Sequence, residues 1–437
     1  MKGLAAFTLP LFLGQLLQQL YNMADAWVVG NFADNNAFAA VSLAGNISFL
    51  IIGFFSGIAV GGGVIISRYF GAKDKTRVEW AIHTNFMFGI LASIAATAIG
   101  LFLVPRLLVW MRTPESVMPS ALLYFRIYFG GVSTIIIYNI SMAIMQALGD
   151  SIHPLYYLTV SSVINVVLDL LFVAVFHWGV GGAAVATVIS QGISAMLCVT
   201  RMCRVQDYTR LSFRKLYLHR NIFAQVIHQG LPSGVQNAVI SVGNLVVQAN
   251  INSFGAYAIS GHGAYCKIEG LVFLPIMSMS MALPTFISQN LGAREYGRAK
   301  KGAAIGIAFG MITAELIGLF LYFQVGSALR FFVDSKEAVS YGVIHGRTVT
   351  LFFFLMAFSH CSAGVLRGCG KAFIPMGTML LSWCGIRIIY VTLALKVFPV
   401  FRTISWAYPL TWSISSIVFL IFLMKSDWVH TFEKVGQ

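Results

Sequence analysis

The sequence predicts an all-α polytopic membrane protein: twelve transmembrane helices in two six-helix lobes, related by a pseudo-two-fold axis along the membrane normal. Three observations predict it, namely the composition, the number of apolar runs and an internal repeat. Of the 437 residues, 58% are hydrophobic and only 10% charged, and the mean hydropathy is +0.80. A soluble domain of this size has no use for so much apolar surface, whereas a bilayer accepts it. The aromatic residues, 14% of the chain with Phe foremost, suit lipid-facing positions and interfacial belts.

Apolar runs long enough to cross a bilayer fall near 4–29, 38–66, 78–104, 118–147, 152–177, 180–202, 224–252, 258–288, 299–325, 338–366, 373–397 and 402–424. The first carries Gln15, Gln18, Asn22 and Asp25 at helical spacing, so one face of it is polar. A signal peptide is not expected there, although Ala24-Asp25-Ala26 resembles a cleavage site, because the polar tract Gln15–Asn22 interrupts the apolar run. The connections are short except for a basic linker in the middle. The expected division is therefore a lobe at 1–203, a linker at 204–221 and a second lobe at 222–437.

The net charge of +14 invites a nucleic-acid reading, but the basic residues lie between apolar spans. One set of alternating connections, both termini included, holds 19 Lys and Arg, and the opposite set holds 6. That bias places the richer side and both termini in the cytoplasm of a cell-membrane protein, with the lipid bilayer rather than nucleic acid as partner. The six cysteines form no CxxC pair and read as small buried hydrophobes.

The chain repeats itself. SRYFGAKDKTRVEWA from Ser67 returns as SQNLGAREYGRAKKG from Ser288, and QALGDSIHP returns as RGCGKAFIP, both at an offset of 221 residues. Leu9-Pro10 returns at Leu231-Pro232, one residue further on. Each repeat holds six spans, so both start on the same side of the membrane, an arrangement typical of alternating-access transporters with a cavity between their lobes.

A carboxylate inside a span costs a few kcal/mol or more unless it faces protein or water. Asp25, Asp169, Glu269 and Glu315 are such residues. Asn165 and Asp169 share a helical face in the fifth span, and Thr187, Ser190, Gln191 and Ser194 make a stripe in the sixth. Carboxylate, amide and hydroxyl oxygens are the ligand type that a hard cation or a proton requires. Thr187 alone reads equally well as a helix-packing hydroxyl. Under the repeat, Gln15 and Asn22 map to Asn237 and Asn244, so the amide stripe is kept and, with Gln248, is expected to line the substrate cleft. Asp25, Asn165, Asp169 and Thr187 map instead to Val247, Ile386, Tyr390 and Tyr408. One ion site in the first lobe follows. Arg387, mid-span, is expected to pair with Glu269 or Glu315, and the glycines at 53, 57 and 61 to serve close helix packing.

The motifs LPLFLGQLLQQLYNMADAWVVG, SRYFGAKDKTR with SQNLGAREYGR, and QALGDSIHP with RGCGKAFIP resemble the multidrug and toxic compound extrusion (MATE) family, in its DinF-like bacterial branch, over essentially the whole chain. The resemblance implies a secondary active antiporter that exports amphiphilic organic cations in exchange for Na+ or H+. It implies an ion site at Asp25, Asn165, Asp169 and Thr187, which would also ligate Na+ in a sodium-coupled protein. No enzymatic activity and no cofactor are expected beyond the transported ion, and a monomer is the expected working unit. The branch of the family with acids on the seventh and tenth helices is not matched, since residues around Ile240 and Met356 are apolar. Two alternatives compete. A lipid-linked-oligosaccharide flippase would gather several arginines for pyrophosphate, and a polytopic membrane enzyme would show paired acids in a loop.

Overall fold

The computed structural model describes residues 2–33, 35–110 and 113–434. Arg112, counted above with the basic residues, lies outside them, as do the first residue and the last three, which bound the expected lobes. No strand occurs among the described residues. The helices are α1 (Lys2–Phe32), α2 (Asn35–Gly71), α3 (Lys75–Trp110), α4 (Met118–Gly130 continued by Val132–Ala147), α5 (Ile152–Val175) and α6 (Gly179–Arg204). They are followed by α7 (Arg220–Asn252), α8 (Ala256–Gly292), α9 (Tyr296–Arg330), α10 (Lys336–Gly368), α11 (Phe373–Val397) and α12 (Phe401–Lys425). These are the twelve expected spans.

Among the described residues ten of them are single helices long and apolar enough to cross a membrane, and α4, bent by 47° at the Gly130-Gly131 break, makes an eleventh. The twelfth, α7, has the length, at 33 residues. Its apolarity is diluted by Gln225, Gln229, Gln236, Asn237, Asn244, Gln248, Asn250 and Asn252. Intramembrane amides need protein or water opposite them, so a helix this polar belongs against other protein rather than in lipid.

The chain divides into two compact units: Leu9–Gly234, and Val235–Gln437 with Met1–Thr8. In the first, α6 packs on α5 and α4, and α4 on α2 and α3, around a core that includes Ile66, Ile82, Phe125, Phe129 and Ile144. The α2 glycines permit direct backbone contact: a Cβ on Gly57 would lie 2.4 Å from the Gly234 nitrogen, and one on Gly61 2.3 Å from that of Gly230. Close packing of small residues is how apolar helices gain contact energy where lipid offers no hydrophobic drive. The basic linker is docked on α3. Ser212 donates its backbone N–H to His83 Nε2 at 3.0 Å, Lys215 pairs with Glu79 at 2.6 Å, and His219 stacks on Trp80.

In the second unit, α8 packs on α9 and on both halves of α10, while α12 packs on α10 and α11. Two of its loops repeat loops of the first unit bond for bond. After α2, Lys73 takes φ 56°, and Asp74 N–H closes on Tyr69 O; after α8, Arg294 takes φ 59°, and Glu295 N–H closes on Asn290 O. Gly149 (φ 93°) and Gly370 (φ 85°) do the same after α4 and α10, with Asp150 N–H on Met145 O and Lys371 N–H on Leu366 O. These are left-handed helix stops with the six-to-one bond that satisfies a terminal carbonyl. The sequence repeat is thus a repeat of local structure.

The two units differ in where a π-helical turn falls. The fifth span ends in a π-helical turn, Leu170–Val175, that begins directly after Asp169. The eleventh carries its π-helical turn earlier, at Leu380–Ile386, ending directly before Arg387. Such turns are rare and concentrate at functional positions.

Candidate functional site

The polar face of α1 brings Asp25 into the first unit, where it is buried, as are Asn165 and Asp169 on α5 and Thr187 on α6. Helix spacing explains each placement. Asn165 and Asp169 are one turn apart on one face of α5, and Thr187 lies two turns into α6 from Gly179, on the face that packs against α5.

The carboxyl groups of Asp25 and Asp169 lie within side-chain hydrogen-bonding reach of one another. No Lys or Arg pairs with either among the described residues, where the recorded ion pairs are Asp74–Arg77, Asp150–His153, Glu79–Lys215 and Asp427–His430. Apart from the carboxyl–carboxyl contact, Asp25 Oδ1, both oxygens of Asp169, and both Oδ1 and Nδ2 of Asn165 have no hydrogen-bond partner. Each unpaired buried polar atom costs on the order of 1–3 kcal/mol. The oxygens among them, two acids included, are of the type that a hard cation or a proton takes.

Three tyrosines surround this point. Tyr21, one turn before Asp25 on α1, donates its hydroxyl to Thr187 Oγ1 at 3.3 Å. Tyr21 and Tyr124 lie within electrostatic reach of both aspartates, and Tyr124 stacks on Tyr128 with ring centroids 5.6 Å apart. The sequence reasoning missed all three. The signal was available, since Tyr21 stands four residues before Asp25, and Tyr124 and Tyr128 stand four apart on the fourth span.

The amide stripes are less uniform. On α1, Gln15 is half-buried and Asn22 exposed, with Gln18 donating to Asn22 at 3.4 Å. On α7, Asn237 and Gln248 are half-buried and Asn244 exposed, and Gln248 donates to Asn252 at 2.9 Å. The expected partnership of Arg387 with a glutamate is not formed. Glu269 lies within electrostatic reach of the guanidinium without an ion pair, and Glu315 accepts the Phe354 backbone N–H at 3.3 Å, at the break in α10. Helix rotation explains the miss, because residue spacing along a span does not say which neighbour each side chain faces. Arg387 instead donates to Thr411 Oγ1 from Nε at 3.3 Å and from Nη2 at 3.0 Å, and to Asn244 Oδ1 from Nη1 at 3.4 Å.

Comparison with known proteins bears on this arrangement. The chain is 27% identical over 387 residues to the probable multidrug resistance protein YpnP of Bacillus subtilis, covering 89% of this chain and 86% of that one. It is 22% identical over 457 residues to the probable multidrug resistance protein NorM of Thermotoga maritima, covering 100% and 96%. Among solved structures, a MOP superfamily transporter from Pyrococcus furiosus superposes with a TM-score of 0.92 at 20% identity, over 99% of this chain and 96% of that one. A MATE crystal structure in the bent conformation gives 0.91 at 20% identity, over 100% and 97%. The MatE family model matches twice, at residues 10–171 and 232–393. The second match begins at the same Leu-Pro step that opens the second repeat, so one family unit accounts for both halves, and the chain belongs to the MatE family of multidrug efflux transporters and is not an enzyme.

Proposed function

We propose that this transporter is a secondary active antiporter that exports amphiphilic organic cations in exchange for Na+ or H+ by alternating access. The observation that carries the proposal is the meeting of Asp25 and Asp169 beside the unpartnered amide of Asn165. Two carboxylates sharing a low dielectric resist ionising together. A proton or a sodium ion relieves that repulsion, and the oxygens of Asn165 and Thr187 complete its shell. Loading the site therefore changes which packing of α1, α5 and α6 is preferred, and an ion can shift such an equilibrium only through this difference in affinity. One positive charge moving inward supplies about 2.3 kcal/mol per 100 mV, a bias of nearly fiftyfold.

The substrate would be held by the amides of Gln15, Asn22, Asn237, Asn244 and Gln248. The relatives named as multidrug resistance proteins support this substrate class. Both termini and the basic linker at 204–221, between lobes at 1–203 and 222–437, are proposed to face the cytoplasm, with the monomer as the working unit. The flippase reading needs several gathered cations. Arg126, Lys267 and Arg347 are exposed, leaving Arg387 as the buried member of the four intramembrane bases. Ethidium efflux in everted vesicles, with a sodium or a proton gradient imposed separately, tests the proposal. One gradient is expected to drive dye against its concentration; dye movement indifferent to both would overturn it.

A further inference from the structure

The basic linker between α6 and α7 is fastened along its length. Leu211 within it is 1% exposed, and its backbone N–H closes on Met202 O at 3.0 Å, which ties the linker to the end of α6. His83 and Glu79 of α3 hold Ser212 and Lys215. Thr84 Oγ1, one residue on, accepts the His219 N–H at 3.2 Å and donates to Tyr217 O at 3.3 Å. Residues 211–219 are therefore a strap fixed across the start of α3. Since α3 begins at Lys75, α6 ends at Arg204 and α7 begins at Arg220, three spans have an end beside this strap, and it lies at a face of the membrane.

What the strap presents outward is aromatic and basic. Phe213 and Tyr217 are 58% and 65% exposed, and Trp80, on which His219 stacks, is 41% exposed. Aromatic rings left uncovered at the end of a span sit at headgroup level in a bilayer. Within the linker and at the adjoining span ends, Lys73, Arg201, Arg204, Arg210, Arg214 and Arg220 are exposed. None of them forms an ion pair among the described residues. The acids of these same stretches are engaged elsewhere: Asp74 pairs with Arg77, Glu79 with Lys215, and Asp207 accepts the backbone N–H and the hydroxyl of Thr209. A fixed positive surface with exposed rings complements a surface that is anionic outside and apolar beneath.

We propose that the strap is a docking surface for anionic phospholipid headgroups, with lipid phosphates on Arg210 and Arg214 and the rings of Phe213 and Tyr217 at the upper acyl chains. A guanidinium takes a phosphate through two parallel bonds and keeps its charge at any physiological pH. Each base near an anionic membrane adds attraction that salt screens. The strap is held before any lipid arrives, so little ordering entropy opposes binding. The charge bias between connections serves to orient the spans; a strap fixed in this shape serves further to distinguish one lipid from another.

The test uses the purified full-length protein in micelles of a neutral detergent and two lipids with the same fluorophore on the acyl chain, a phosphatidylglycerol and a phosphatidylcholine. Fluorescence anisotropy, corrected with empty micelles, gives the affinity of each. At low ionic strength the wild type is expected to bind the phosphatidylglycerol about tenfold more tightly. Arg214→Gln should cut that preference about fivefold. Arg210→Gln combined with Arg214→Gln should bring it close to one, as should salt at about 0.5 M. Arg106→Gln, at the other end of α3, should leave the preference as it is, and Phe213→Ser should weaken both lipids alike. Equal binding of the two lipids by the wild type overturns the proposal, and so does an unchanged preference in the double variant. Displacement of the phosphatidylglycerol by an equal concentration of glycerol phosphate overturns it as well, because that would mark a site for free anions rather than for a lipid surface.

Discussion

Asp25 on α1 and Asp169 on α5 meet carboxyl to carboxyl in the interior of one unit, with no basic side chain paired to either among the described residues. Two acids in contact without a cation are a costly arrangement to keep in a membrane-spanning fold. On the proposed mechanism a proton or a sodium ion would make it stable, and that condition would tie the packing of these helices to the ion gradient.

The unpartnered amide of Asn165 yields a stability test. Asn165→Leu keeps the volume and removes two buried polar atoms that lack partners, so in sodium-free buffer near neutral pH it should not lower the melting temperature and should raise stability by about 1 kcal/mol. The wild type should gain stability on adding sodium or on acidification, and the variant should gain less. Equal gains in both, read by thermal unfolding in detergent, would remove Asn165 from the ion shell.

Tyr21 positions Thr187 through its hydroxyl. Tyr21→Phe should leave the fold intact and weaken the stabilisation by the coupling ion several-fold, while Tyr217→Phe, at an exposed tyrosine of the linker, should change neither the fold nor that stabilisation. The same melting assay over a range of sodium concentrations decides it.

The contact of α2 with Gly230 and Gly234 leaves no room for a side chain. Gly61→Val should destabilise the protein by about 1–3 kcal/mol, the usual cost of overpacking, whereas Gly3→Val, where a Cβ meets nothing within 4 Å, should not. Yield of folded protein and melting temperature give the comparison.

If the amide stripes line a water-filled path, cysteines at Asn22 and Asn244 should react with charged thiol reagents far faster than cysteines at Leu16 and Leu245. Equal rates would place the stripes elsewhere. Reporters in the linker, near Arg214, should read cytoplasmic, and a signal from the opposite side would end the charge-based topology.

Much of this was legible in the sequence. The spans followed from apolar length, the loops from the GAKDK and GAREY pair, and Asp25 and Asp169 from the cost of an intramembrane acid. The rest was not, for physical reasons. The π-helical turns beside Asp169 and Arg387 leave no mark in residue type, because they are a backbone compromise between packing partners. Arg387 was expected to find a glutamate and found Thr411, Asn244 and two aromatic faces. Which neighbour a side chain meets depends on the rotation and tilt of packed helices, which spacing along one helix does not encode. Tyr21 and Tyr124 were overlooked because tyrosine in a span reads as interfacial or core until a charge is found beside it.

On the proposed mechanism the pair Asp25 and Asp169 couples export to an ion. Asp25→Asn and Asp169→Asn keep the shape and lose the charge. The deciding measurement is dye efflux in vesicles with matched protein levels, against an imposed sodium or proton gradient, beside dye binding to the same variants. Retained binding with loss of uphill export in both variants is the expected result. Full gradient-driven export by both variants would contradict it.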